Sequence, residues 1–135
     1  MEKKRAQVGI EYMIILAFVT FVIMVVLSFA VVYSNQIQDK FRLNQVDNFA
    51  IGLINSAEMV FFSGEPSKTT ILLSLPSGVN EISIVPEGII FRVVTSSGEN
   101  VRLFESSVPL SGSVVTTEGL KEIVLTATDA SVEIS

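Results

Sequence analysis

The sequence contains no cysteine, no histidine and no tryptophan. Without cysteine there is no disulfide, no thiol nucleophile and no thiolate for a metal. Without histidine there is no imidazole base and no nitrogen donor for zinc. Catalysis would fall to a serine–lysine pair or to paired carboxylates. Lys68 and Lys121 stand in no such pattern, and the glutamates between Glu81 and Glu133 are scattered over strand-like and turn-like stretches. Glycine-rich phosphate loops and calcium-loop spacings are missing too. The expectation is therefore a protein that is not an enzyme, with no catalytic residue, metal, cofactor or small-molecule substrate. No Asn-x-Ser/Thr sequon occurs either.

Charge is also scarce. Charged residues make up 17% of the chain, against roughly a quarter in an average domain. The net charge is −5, and an acidic body repels phosphate backbones, which excludes nucleic acid as a partner. The shortage is local, because no charged residue lies between Tyr12 and Tyr33.

That run, YMIILAFVTFVIMVVLSFAVVY, has only Thr20 and Ser28 as mild polar interruptions. As a helix at about 1.5 Å per residue it matches a hydrocarbon core about 30 Å thick. Lipid offers the backbone no hydrogen-bond partners, so a helix is required despite the many valines. Tyr12 and Tyr33 flank it, where amphipathic rings favour the membrane–water boundary. Lys3, Lys4 and Arg5 precede it and set the topology, holding the N-terminus in the cytoplasm and sending the rest outward. A removable secretory signal has an apolar stretch of only about 7–15 residues. On hydropathy alone the run reads as a simple signal anchor.

The residues ahead of the run change that reading. Arg5-Ala6-Gln7-Val8-Gly9-Ile10-Glu11 puts one acid, Glu11, at the mouth of the apolar segment. An ionised carboxylate at bilayer depth is costly and marks function or a partner. The stretch resembles the archaeal class III signal peptide of type IV pilin-like proteins, in which a short basic leader precedes Gln-x-Ser/Gly-x-Glu and an apolar helix. Gln7, Gly9 and Glu11 match that pattern, with Ala6 in place of the glycine often found before the cut and Gly9 in place of the frequent serine. The resemblance implies cleavage by a prepilin peptidase between Ala6 and Gln7. It further implies a role for Gly9 and Glu11 in recognition and assembly, and a homo-oligomeric helical filament serving adhesion. The new amine at Gln7 would pair with Glu11 of a neighbouring copy, offsetting the cost of burying that carboxylate. The expected path runs from a membrane-inserted precursor, N-terminus cytoplasmic, to an extracellular surface filament.

Downstream of Tyr33, Ile37, Phe41, Val46, Phe49, Leu53, Ile54, Ala57 and Val60 recur at helical spacing, and Ser63-Gly64-Glu65-Pro66 marks a stop. A continuous helix from about Val8 to Phe62 would be roughly 80 Å long. Ser34-Asn35 or Gly52 would be its places to bend, and a separate juxtamembrane helix is the alternative. From Thr69 onward the pattern becomes strand-like. Runs are expected at 69–75, 79–85, 89–95, 101–104, 120–128 and 131–134, with a weaker one at 114–117 after a turn at Pro109–Ser113. The expected fold class is α+β: a long N-terminal hydrophobic helix followed by a small antiparallel sheet or sandwich head. The expected organisation is a leader over 1–6, an apolar helix over 7–33, an amphipathic extension over 34–63 and a β head over 64–135. With 135 residues the chain suffices for one domain plus an extended element. The competing expectation is a membrane-anchored monomer whose β domain binds a partner.

Overall fold

The computed structural model describes residues 2–135, with side chains from Gln7 onward; Lys3, Lys4, Arg5 and Ala6 lie outside the described side chains. The chain divides into two compact units, one ending at Ile37 and one spanning Gln38–Ser135. Each is described by itself.

Helix α1 covers Glu2–Phe62, and neither Ser34 nor Gly52 interrupts it. It ends where the sequence offers its stop. Gly64 takes the left-handed conformation, φ 79°, and its N–H bonds the Phe61 carbonyl at 3.0 Å, while the Ser63 N–H bonds Met59 at 3.1 Å. These bonds satisfy carbonyls that a helix end leaves open.

The strands are β1 (Lys68–Leu75), β2 (Val79–Val85), β3 (Gly88–Thr95), β4 (Gly98–Glu105), β5 (Leu110–Gly112), β6 (Gly119–Ala127) and β7 (Val132–Ile134). They form two sheets, a three-stranded β2-β3-β4 and a four-stranded β1-β6-β7-β5. The first is a meander whose tight turns at Pro86–Gly88 and Ser96–Gly98 set its register, Ile89 facing Phe104 and Phe91 facing Arg102. In the second, β1 pairs antiparallel with β6, Ile71 opposite Ile123. The architecture is the expected α+β one.

Two expectations need correction. Pro109–Ser113 is not a turn before a strand at 114–117: Leu110–Gly112 is the strand, and no strand forms at 114–117. Strand β5 also runs parallel to β7, Leu110 opposite Val132 and Gly112 opposite Ile134, so this sheet is mixed. The cause is tertiary. Leu110 is buried, and Gly112, at φ 110°, lies so close to β7 that a Cβ there would come within 2.0 Å of the Ile134 carbonyl oxygen. A glycine serves close backbone approach as well as turns.

The core of the second unit lies between the sheets and the last third of α1. Phe49, Leu53, Ala57 and Val60 from the helix meet Ile89, Phe91 and Val93 of β3 and Leu125, Val132 and Ile134 of the other sheet. Phe91 takes two edge-on aromatic contacts, with Phe49 at 6.0 Å and with Phe104 at 5.7 Å between centroids. The helix thus completes a core that about 70 residues of β structure would leave thin. Ile37 and Phe41 do not belong to this buried stripe as their spacing led us to expect; Phe41 is 65% exposed. Both lie on the opposite side of the helix from Val46 and Leu53, at 100° per residue.

Candidate functional site

Gln7, Gly9 and Glu11 all lie on α1 and all are exposed. Gln7 and Glu11, four residues apart, share one face at the edge of the apolar segment. Gly9 is helical, yet a Cβ at that position would meet nothing within 4 Å. Glycine in a helix interior costs about 0.8–1.0 kcal/mol relative to alanine. Nothing among the described residues calls for the small residue. The expected cut falls between Ala6, outside the described side chains, and Gln7, the first of them.

From Tyr12 to Tyr33 every residue is exposed. Phe18, Phe21, Met24, Val26 and Leu27 are each more than half exposed, and at 100° per residue they are spread round the whole helix. The segment's two hydroxyls between the flanking tyrosines are satisfied internally. Thr20 donates to the Leu16 carbonyl and Ser28 to the Met24 carbonyl, each at 2.8 Å. No side chain between the tyrosines therefore seeks a polar partner. The helix is long and apolar enough to cross a membrane, and a surface this apolar over its whole circumference must be covered by lipid or by protein.

In the second unit, polar side chains of α1 grip the β2-β3-β4 sheet and the loop after it. The Asp39 carboxylate accepts the Ser96 N–H at 2.9 Å and the Ser96 hydroxyl. Arg42 donates to the Val94 carbonyl at 2.9 Å. Asp47 pairs with Arg102, and Glu58 accepts the Ser107 N–H at 3.2 Å and its hydroxyl. The sequence shows these four helix residues only as a polar face. Their partners lie about fifty residues away, and no local pattern announces such pairs. Ser96 holds the Asp39 carboxyl below its ordinary range through its hydroxyl and its N–H, and the nearby Arg42 adds to this.

In the β unit, a shallow groove of about 310 Å³ beside Pro86, Leu103, Val108 and Pro109 carries the carboxylates of Glu87 and Glu105 and the hydroxyls of Ser106 and Ser107. Among the described residues no three potential metal ligands cluster, and no buried side-chain polar atom lacks a partner. Comparisons with protein-family models, with curated proteins and with solved structures give no match.

Proposed function

We propose that this chain is the structural subunit of a type IV pilus-like surface filament, inserted in a membrane as a precursor and polymerised through its N-terminal helix. The observation that carries the reading is the position of Gln7-x-Gly9-x-Glu11, directly ahead of a helical segment that is uncharged and exposed on all sides. A plain anchor needs the apolar run and the basic residues, but not the acid at its mouth.

Three features support it. Among the described residues nothing lies within 4 Å of a Cβ placed at Gly9, and recognition by a peptidase or close approach of a neighbouring helix would account for the glycine. Glu11 is exposed beside the apolar segment, positioned to meet the amine that cleavage between Ala6 and Gln7 would create. The all-round apolar surface suits lipid before assembly and a bundle of like helices afterwards. In a bundle, Glu11 and the amine of a neighbouring Gln7 would neutralise one another away from water. The β unit, tied to the helix by Asp39, Arg42, Asp47 and Glu58, would form the outer surface and carry any adhesive contact.

The test is to shear filaments from the cell surface, identify their principal subunit by mass, and image them. This chain as that subunit is the expected result. The chain found only in the membrane fraction, as single copies and with no filament containing it, would overturn the reading in favour of an anchored monomer.

A further inference from the structure

The half of α1 that carries the β unit has a second apolar face, turned away from that unit. Phe41, Ile51, Met59 and Phe62 are 65%, 51%, 72% and 76% exposed, and the residues between them on the same face are Asn44, Asn48 and Asn55, also exposed. At 100° per residue all seven fall within about 40° of one line along the helix. None carries a charge, whereas one flank holds Lys40, Asp47 and Glu58 and the other Gln45 and Gly52.

The spacing is that of a coiled-coil seam. Phe41, Asn48, Asn55 and Phe62 recur every seven residues, and Asn44 and Ile51 fall three residues after the first two of them. The next position of that second series is Glu58, which turns aside to Ser107, and Met59 takes up the exposed place beside it. We propose that this face pairs with the same face of a second copy of the chain, parallel and in register, and that Asn48 and Asn55 set the register.

The partner follows from the chemistry of the stripe. A carboxamide both donates and accepts, so an asparagine is complementary to the same asparagine of an identical chain, as a charged residue is not. Lipid is a poor occupant, because three asparagines would lose water without gaining partners and charged residues border the stripe. A charged partner finds no opposite charge within the stripe itself. Each buried aromatic contributes about 150–250 Å², so two phenylalanines with Ile51 and Met59 supply a large part of the roughly 800 Å² per partner of a standard interface. The parallel arrangement rests on reading the N-terminal segment as a membrane anchor, which points every copy the same way. The pairing itself needs no filament.

The absence of cysteine makes the test clean. Full-length chain in membranes, carrying Asn55→Cys as its sole thiol, should give a disulfide-linked dimer as its main product on mild oxidation. Thr70→Cys, exposed on β1, should stay monomeric under the same conditions. Adding Ile51→Lys to the Asn55→Cys chain should abolish the dimer while the protein still reaches the membrane. Linking of Asn55→Cys no greater than that of Thr70→Cys, or linking that survives Ile51→Lys, overturns the proposal. The two readings fail separately. Filaments of this chain without the Asn55→Cys link leave the filament standing and remove the pair, whereas the link in a chain that makes no filament does the reverse.

Discussion

Asp39, on the helix, and Ser96, in the β3–β4 turn, are joined by two hydrogen bonds to one carboxylate, from the serine N–H at 2.9 Å and from its hydroxyl. The pair lies fifty-seven residues apart in sequence and ties the tip of a hairpin to the helix below it. Both bonds favour the ionised acid, so the carboxyl titrates below its ordinary value of 3.8. A depressed value in the folded state means that the stabilisation is fully present above the unfolded value and fades as pH falls through the folded one. Thermal unfolding of detergent-solubilised protein should therefore show Asp39→Asn less stable than the parent at pH 7. The difference should shrink as pH falls below about 3.8. An unchanged difference at low pH would contradict the role given to the carboxylate.

Phe49 is 2% exposed and meets Phe91, which is fully buried, edge-on. Phe49→Ala should cost about 3–5 kcal/mol, because the cavity it leaves is walled by both sheets and cannot collapse freely. Denaturant unfolding monitored through the β unit measures it. A loss under about 0.5 kcal/mol, the range of surface substitutions, would show that the helix is not integral to that core.

Gly112 and Gly98 both have positive φ, 110° and 122°, yet a Cβ at Gly98 meets nothing within 4 Å while one at Gly112 strikes the Ile134 carbonyl. Gly98→Ala should therefore cost only its backbone strain, of order 1–3 kcal/mol, and Gly112→Ala distinctly more, since β5 must also part from β7. Equal losses in parallel unfolding experiments would mean that β5 is not held by that close approach.

That glycine also marks where sequence reasoning ran short. The helix was legible because its causes are local, in the uncharged run from Tyr12 to Tyr33 and the Gly64 stop. Strands β1 to β4, β6 and β7 were legible because runs such as Val79–Val85 are bounded by turn residues. Pro109-Leu110-Ser111-Gly112 has turn composition, but Leu110 is drawn into the core and Gly112 pressed against β7, and only the fold shows that. Phe41 was misplaced for a similar reason. It keeps step with the buried residues over a few positions, but the true phase of the helix turns it outward. The Asp39, Asp47 and Glu58 contacts were invisible, since each joins residues that only the fold brings together. The N-terminal motif is the opposite case: it was read wholly from sequence, and the structure adds that Gly9 and Glu11 are exposed and that no described residue packs against Gly9.

Glu11→Ala should leave insertion intact, since the apolar run and basic residues that govern it are unchanged. Assembly should fall sharply, because the amine of each neighbouring Gln7 would be buried without its partner, and breaking a buried pair costs about 3–5 kcal/mol. Membrane fractionation together with counts of filaments per cell checks both halves. Normal filament numbers would contradict the pairing.

The most direct measurement is the N-terminus of the protein isolated from the cell surface, by intact mass and N-terminal sequencing. The account predicts a chain that begins at Gln7, with residues 1–6 removed and the apolar helix retained. A surface-isolated chain that still carries Met1 or Glu2 at its end would contradict it.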